Sequence, residues 1–250
     1  MLNNFYIKSI ELDYDKIPKD DYLSSLSIIK NIKRLDFKSP ITFLVGENGV
    51  GKSTLIEAIA TKYGFNAEGG SRHFCFQTKK TESSLNKYIK LTKGPYYPKD
   101  GYFLRAESLY NVATNIDDLD SIQCNAPPIS QAYGNKSLHN QSHGESFFSI
   151  FFKRFKGYGL YILDEPEAAL SPISQMSLLI RLKELIDLNS QFIIATHSPI
   201  LLAYPGAQVY EINEDGVSLN SYNKTNHYLV MKNFFKDTER TVNSLLNLKD

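Results

Sequence analysis

The sequence contains little cysteine. Its 250 residues include two, Cys75 and Cys124, which lack the C-x-x-C spacing of a zinc site. Two isolated cysteines also argue against the disulfide framework of small secreted domains. The pair therefore predicts buried free thiols in a reducing compartment.

Long apolar runs and an excess of one charge are missing as well. No run approaches the ~20 apolar residues that span a bilayer, and the first residues lack the basic-then-apolar pattern of a signal peptide. The 28 basic and 27 acidic residues leave a net charge of +1. We expect a soluble, cytoplasmic protein without membrane insertion, in which any contact with DNA would need a local basic patch.

Short continuous apolar runs are present instead. With 42% hydrophobic residues, the chain is long enough for one sizeable α/β domain, which we expect to cover residues 1–250. Continuous apolar runs predict strands that are buried on both faces. Three such runs lie at 41–45, 159–163 and 191–195.

Helical patterns alternate with these runs, which predicts a doubly wound α/β core. One pattern covers 53–63, and another covers 171–188, where Ser171 and Pro172 have the types of an N-cap and a first helical residue. Between them, five phenylalanines at helical spacing predict one apolar stripe. They are Phe147, Phe148, Phe151, Phe152 and Phe155.

The flanking segments predict simpler elements. Residues 5–14 and 27–37 alternate in hydrophobicity, which predicts a half-buried antiparallel pair before the main sheet. Residues 208–213 and 217–222 flank a Glu-Asp-Gly turn and predict a hairpin. Residues 232–248 predict one covering helix.

Residues 65–141 differ in composition, since Ser, Asn, Lys and Tyr dominate and turns recur. Sustained heptads are absent from the sequence there, which excludes a long coiled-coil arm. We expect an inserted lobe that carries no core of its own.

The strongest motif is Gly46-Glu47-Asn48-Gly49-Val50-Gly51-Lys52-Ser53, which satisfies GxxxxGK[ST] between a strand and a helix. The motif arises by chance in on the order of 1% of chains of this length, before that context is required. Backbone N–H groups of such a loop face phosphates, Lys52 reaches the β and γ oxygens, and Ser53 ligates Mg²⁺. The predicted nucleotide contacts are Glu47, Asn48, Gly49, Val50, Gly51, Lys52, Ser53 and Thr54.

The second motif is GLYILDEPE, an apolar strand that ends in adjacent carboxylates at Asp164 and Glu165. Two acids at a buried strand end are costly unless a cation or a reaction uses them. Asp164 is the predicted second ligand of Mg²⁺, and Glu165 is placed to orient or deprotonate the attacking water. Taken alone, the pattern could be a strand that ends in solvent-exposed acids. The presence of a phosphate loop in the same chain favours the functional interpretation.

Two further motifs complete a resemblance to the ATP-binding cassette (ABC) ATPases. Residues 141–146 (QSHGES) resemble the family's LSGGQ signature, and residues 195–199 (ATHSP) resemble its switch-histidine loop. All four motifs occur in the family's order, over essentially the whole chain. The resemblance implies an ABC-ATPase head with a mixed central sheet, N-terminal antiparallel strands and an inserted, partly helical lobe.

The resemblance also implies roles for particular residues. It implies that His197 contacts the γ-phosphate, and that two copies close head-to-tail over two Mg-ATP molecules. In that arrangement the signature residues Ser142, Gly144 and Glu145 serve the nucleotide that the other subunit holds. Residues 169–172 (ALSP) occupy the position of the D-loop but lack its usual aspartate, which puts coupling through that loop in doubt.

The family also has a glutamine, the Q-loop residue, at a strand end where the inserted lobe begins. Two residues qualify here: Gln77 in HFCFQT, and Glu107 after GYFL. We favour Glu107, because a short strand that leads into a polar helical segment matches the position, and a carboxylate can also approach Mg²⁺. Either residue could instead lie on the surface.

Features after the signature suggest a branch of the family. The segment GESFFSIFFKRFKG is bulky and aromatic, unlike transporter cassettes. The forms DEPEAALSP and ATHSPIL resemble the non-transport branch, which includes SMC-like, recombination-mediator-like and OLD-like ATPases and small stand-alone AAA-family proteins.

Three functions remain open from the sequence. The first is an ATPase motor or switch in DNA repair or phage defence, with DNA or a separate effector protein as its partner. The second is a transport cassette, which would need a coupling surface for membrane helices within residues 65–141. The third is a slow nucleotide-gated scaffold.

Overall fold

The fold is known from a computed structural model that describes residues 5–72, 83–122, 127–214 and 216–247. The strands are β1 (Ile7–Leu12), β2 (Arg34–Asp36), β3 (Ile41–Gly46), β4 (Gly70–Ser71), β5 (Ile89–Lys93), β6 (Asp100–Arg105), β7 (Gly159–Asp164), β8 (Gln191–Ala195), β9 (Gln208–Asn213) and β10 (Gly216–Asn220). The α-helices are α1 (Ser27–Asn31), α2 (Lys52–Tyr63), α3 (Leu109–Ser121), α4 (His143–Ser149), α5 (Pro172–Asp187), α6 (Pro199–Leu202), α7 (Asn226–Lys236) and α8 (Thr238–Leu245).

A mixed seven-stranded sheet forms the centre, in the order β10-β9-β3-β8-β7-β6-β4. Its five inner strands are parallel, and the outer strands β10 and β4 are antiparallel. Every residue of β3, β7 and β8 is buried. This confirms the strands predicted from continuous apolar runs, because side chains on both faces of the sheet are covered.

The core lies on both faces of this sheet. Alternate side chains of β7 enter the two layers: Leu160 and Ile162 face α2, while Tyr161 and Leu163 face the layer of α3 and α5. The second layer also contains a π-helical segment, Ile150–Arg154, that continues α4. The predicted phenylalanine stripe divides there: three rings are buried, and the other two stack on each other at 4.2 Å near the surface.

A smaller antiparallel sheet, β2-β1-β5, covers the first layer. Its β1–β2 pair confirms the predicted N-terminal pairing. The strand predicted over 27–37 is wrong in its first half, because Ser27–Asn31 is helix α1. Ile28 and Ile32 are both buried there, and their spacing of four fits one helical face.

Residues 65–141 are partly helical, as predicted, but they also contribute to both sheets. The short strand expected at GYFL is β6, which is buried beside β7 and leads into α3. In addition, β5 pairs with β1. The described parts of this region therefore pack directly on the core.

The C-terminal hairpin is confirmed as β9 and β10, whereas the single helix predicted over 232–248 is wrong. The structure has two helices, α7 and α8, which meet at Asp237. The backbone of Asp237 is not helical, with φ −152° and ψ 75°, and its side chain accepts a hydrogen bond from Arg240 N at 3.2 Å, so it starts a new helix. No residue of α7 or α8 is fully buried.

Candidate functional site

The candidate site lies at the carboxyl edge of the parallel strands. Strand β3 ends in the loop 46–51, which leads into α2, and neighbouring strands end at Arg105, Asp164 and Ala195. Arg105 is in register with Asp164, and Asp164 with Ala195. The ladder thus brings the phosphate-loop motif, the acidic pair and the histidine loop to one edge, where open α/β sheets bind their ligands.

The loop after β3 depends on its glycines. Gly49 and Gly51 have φ values of 84° and 101°, which side-chain-bearing residues rarely adopt. A Cβ on Gly51 would lie 2.6 Å from Cγ2 of Ile28, and Ile28 N donates to Val50 O at 3.2 Å. Helix α1 therefore packs directly against the phosphate loop.

Lys52 begins helix α2 and is almost fully buried, with 4% of its surface exposed. Its Nζ donates to Gly46 O and to Glu47 O, both at 2.8 Å. Burial lowers the pKa of Lys52, and the nearby carboxylates, chiefly Glu165 and Asp164, oppose that shift. The ammonium group of Lys52 is thus fixed by hydrogen bonds to two carbonyl groups of the loop.

Ser53 and Asp164, the two predicted Mg²⁺ ligands, are in direct contact. Ser53 Oγ donates to Asp164 Oδ1 at 3.1 Å. Burial raises the pKa of Asp164 to about 6, although Arg105 and the Ser53 hydrogen bond oppose the shift. Within the described ranges there is no cluster of three or more His, Cys, Asp or Glu that could bind a metal. The hydroxyl and carboxylate oxygens of Ser53 and Asp164 are donors that suit Mg²⁺, which commonly takes one or two protein ligands and completes its shell with phosphate and water oxygens.

The pKa of Asp164 gives a test of its buried charge. The pKa of Asp164 is 3.8 in the unfolded chain and about 6 in the folded protein. Its contribution to stability is therefore fully present below about pH 4 and is lost as the pH rises through about 6. We expect Asp164→Asn to be more stable than wild type by about 3 kcal/mol at neutral pH. Urea unfolding without nucleotide at about pH 4.5 and about pH 7 should show the gap widening by about 2 kcal/mol.

The control is Asp187→Asn, which makes the same chemical change on an exposed residue of α5. A stability gap between wild type and Asp164→Asn that stays constant over this pH range would contradict the assigned burial of the charge.

Glu165 follows directly and has a strained backbone. Its φ is 49°, a conformation that costs a non-glycine residue on the order of 1–3 kcal/mol. A hydrogen bond from Glu165 N to Ala195 O at 3.0 Å holds it there. Its carboxylate lies 3.6 Å from Nε2 of His197 and is 41% exposed. The turn thus aims this acid out of the sheet edge, where a ligand could reach it.

Sequence reasoning missed two residues that contact His197. Glu167 is half-buried beside the histidine loop, and its Oε1 accepts from His197 N at 2.5 Å. The motif DEPE already contains Glu167 as its third acid, so the sequence could have marked this residue as a candidate. His227, on α7, places its Nε2 3.2 Å from His197 Nδ1. No motif marks His227, because tertiary packing alone brings it to the site.

Arg105 is a third missed residue. Its guanidinium contacts Glu57 Oε2 at 2.8 Å and also pairs with Glu107, and it lies beside Asp164 in the sheet register. Glu107 is at the same sheet edge, but its side chain is 68% exposed. The alternative Q-loop residue, Gln77, lies outside the described residues.

The signature-like segment forms a capping box. Ser142 Oγ accepts from Glu145 N at 3.3 Å, and Glu145 Oε2 accepts from Ser142 N and from Ser142 Oγ, both at 2.8 Å. Gly144 lies against Ala169 O, where an added Cβ would be 3.1 Å away. These hydrogen bonds lower the pKa of Glu145, so its carboxylate stays ionised.

One cavity lies beside the phosphate loop and another beside the signature-like segment. One, of about 910 Å³, lies on the phosphate loop between the β9–β10 hairpin and α7. The other, of about 600 Å³, lies between the signature helix and the start of α5. The two cavities share no lining residue.

Two family models match the chain. Residues 23–99 match a model described as "AAA domain". Residues 146–203 match a model described as "AAA domain, putative AbiEii toxin, Type IV TA system". The comparison with curated proteins found no match.

Solved structures that resemble this chain include ABC transporter proteins and SMC head domains. A putative metal-chelate type ABC transporter in an inward-facing conformation is 16% identical, with a TM-score of 0.48 over 90% of this chain and 88% of its own. The SMC head domain from Thermotoga maritima is 16% identical, with a TM-score of 0.42 over 86% and 98%. CbiO1 from Clostridium perfringens, part of an ABC transporter complex, is 19% identical, with a TM-score of 0.48 over 98% and 100%.

The class of the protein follows from the two family matches and the mixed sheet with its phosphate loop. Residues 23–99 and 146–203 resemble AAA-type ATPase domains, and the mixed sheet with its phosphate loop is a P-loop fold. This confirms the resemblance to the non-transport branch of these ATPases. In the parts of the chain that the structure describes, no helix is both long enough and apolar enough to cross a membrane.

Proposed function

We propose that the chain binds Mg-ATP on the loop of residues 46–54 and hydrolyses it. The observation that carries this proposal is the meeting of the buried Lys52, the Ser53–Asp164 contact and the Glu165–His197 pair at one sheet edge. These are the parts that phosphoryl transfer to water requires: a phosphate cradle, a cation site and a group that positions water.

Each group has a separate role. Lys52 and the loop N–H groups bind the phosphates, and Ser53 and Asp164 would hold Mg²⁺, which when bound would neutralise charge on the phosphate oxygens. Glu165 orients the attacking water and takes its proton, and His197 donates a hydrogen bond to the γ-phosphate. Glu107, at the same edge, is the proposed Q-loop residue, which approaches Mg²⁺ when its ion pair with Arg105 opens.

We further propose that two copies close head-to-tail over two nucleotides. The signature cavity shares no lining residue with the cavity on the phosphate loop, which supports a contact between the signature and a nucleotide held by another copy. Ser142 and Gly144 would contact the partner's γ-phosphate. Glu145 would act through Ser142, since an ionised carboxylate repels phosphate.

Dimerisation is tested with Glu165→Gln, which should retain ATP. We expect this protein to be a dimer in Mg-ATP and to shift toward monomer in ADP, because ADP lacks the phosphate that the two subunits share. Light scattering measures the mass in each nucleotide. Adding Ser142→Arg should abolish the ATP dimer, because the arginine obstructs the composite site.

Ser142→Ala is the matched control for this test. It removes the same N-cap and the hydroxyl that would contact phosphate, without adding bulk and at a cost of about 1 kcal/mol to the helix, so it should weaken the ATP dimer less than Ser142→Arg does. Equal masses of Glu165→Gln in ATP and ADP, or a Ser142→Arg variant that still forms the ATP dimer, would rule out the proposed interface.

The biological role that we propose is a switch in DNA repair or phage defence that acts with a separate effector. The description of the second family model names a toxin–antitoxin system, which favours a role with a partner protein. The rate of phosphate release with linear duplex DNA, with lipid vesicles and with neither tests this role. Stimulation by DNA would support it, whereas stimulation by vesicles alone would favour a transport cassette.

A further inference from the structure

Helix α7 brings a second histidine to the candidate site. His227 Nε2 lies 3.2 Å from His197 Nδ1, and the two ring centroids are 5.1 Å apart. His227 also lines the cavity on the phosphate loop. The two histidines are far apart in sequence, so the C-terminal segment contributes directly to a site otherwise built from the sheet edge.

The start of α7 is firmly attached to the hairpin. Thr225, the N-cap, is fully buried, and its Oγ1 accepts from Tyr228 N at 3.3 Å and donates to Tyr222 O at 2.8 Å. In addition, Asn226 N donates to Glu211 Oε1 of β9 at 2.7 Å. Because its neighbours on both sides are anchored, His227 is held against His197 and is not simply an exposed helical residue.

The proton between the two rings can be assigned from the opposite nitrogen of His197. His197 Nε2 is buried without a hydrogen-bond partner among the described residues, and it lies 3.6 Å from Glu165 Oε1. A neutral imidazole carries its proton on one nitrogen only. With the proton on Nδ1, Nε2 would present a lone pair to a carboxylate, which is unfavourable. The arrangement that fits both contacts has the proton of His197 on Nε2 and a hydrogen bond from His227 Nε2–H to Nδ1.

The charges around the pair agree with two neutral rings. Burial is the main cause that lowers the pKa of each histidine, and the nearby Lys52 adds to both shifts. The carboxylate of Glu165 opposes the shift at His197. At His227, Glu211 and Glu47 oppose it.

We infer that His227 is a positioning residue for hydrolysis: it holds His197 in the Nε2–H tautomer and directs that N–H toward the γ-phosphate and the water beside Glu165. This inference rests on the proposed hydrolysis of ATP at this site. At metal sites, mutating the group that fixes the tautomer and orientation of a histidine typically lowers metal affinity or activity 10- to 100-fold. By analogy, we expect a loss of similar size here.

The test compares His227→Phe, which keeps an aromatic ring but removes the donor, with His227→Gln, whose amide can still donate. We expect kcat of the phenylalanine variant to fall on the order of 10- to 100-fold, with the affinity for Mg-ATP within about twofold of wild type. The glutamine variant should recover most of that loss. Lys232→Ala, on an exposed position of α7, is the control for general disturbance of the helix.

A second readout does not depend on hydrolysis. Long-range ¹H–¹⁵N spectra distinguish the two tautomers of His197, and the wild type should show Nε2–H. In His227→Phe we expect a mixture or the Nδ1–H form. An unchanged Nε2–H signal in that variant, or a kcat equal to wild type, would overturn the inference. A wild-type protein that shows the Nε2–H signal but does not hydrolyse ATP would instead contradict the proposed function.

Discussion

Replacing Glu165 by glutamine is expected to reduce ATP turnover by ~10²-fold or more while ATP still binds. The amide keeps the shape of the side chain, and nothing in the phosphate loop changes. It cannot take a proton from water, however, because an amide is not a base at neutral pH. Steady-state phosphate release measures the loss, and filter binding of labelled ATP measures the retained nucleotide.

The geometry explains why this acid should carry the effect. Glu165 is half-exposed at the sheet edge on a left-handed backbone, whereas Asp164 is buried against Ser53. The two adjacent acids therefore have different environments and different expected roles. Glu184→Gln, on an exposed face of α5, is the control for the chemical change. A turnover of Glu165→Gln equal to wild type would remove this residue from the mechanism.

Replacing Lys52 by alanine is expected to weaken ATP binding by ~30-fold or more, because truncating one partner of a buried charge contact costs about 2–5 kcal/mol. The ammonium group is oriented in advance by two loop carbonyls, so little freedom is lost when phosphate arrives. Isothermal titration calorimetry with Mg-ATP measures the change in Kd.

The matched control is Lys62→Ala, in the last turn of the same helix and exposed to solvent. It removes the same charge from α2 without touching the loop, so its affinity should equal that of wild type. Thermal unfolding of both variants checks the fold, since Lys52 also bridges the loop itself. If Lys52→Ala binds Mg-ATP as tightly as wild type, the phosphate-loop assignment fails.

The sequence predicted those features whose physical cause is local. Continuous apolar runs located β3, β7 and β8, because a strand covered on both faces has no polar positions. The glycine spacing of 46–51 located the phosphate loop, because the turn itself requires positive φ at Gly49 and Gly51. Ser171 and Pro172 located the start of α5 for a similar reason.

Features that depend on tertiary packing could not be predicted in this way. Arg105 gains its position from the register of β6 with β7, and His227 from the attachment of α7 to β9. Helix α1 was mistaken for a strand because its short apolar segment fits both periods, and packing against Gly51 decided between them. The capping box at Ser142 was predictable from Ser-x-x-Glu, but its function in a dimer remains a prediction.

The central claim is that Mg-ATP is hydrolysed at the Lys52–Asp164–Glu165 site, and phosphate release from Mg-ATP by the purified protein tests it most directly. We predict release that requires Mg²⁺, stops on chelation with EDTA, and is lost in Lys52→Ala and Glu165→Gln alike. Release at the wild-type rate in both variants, or no release by the wild type with Mg-ATP, DNA and vesicles present, would contradict the account.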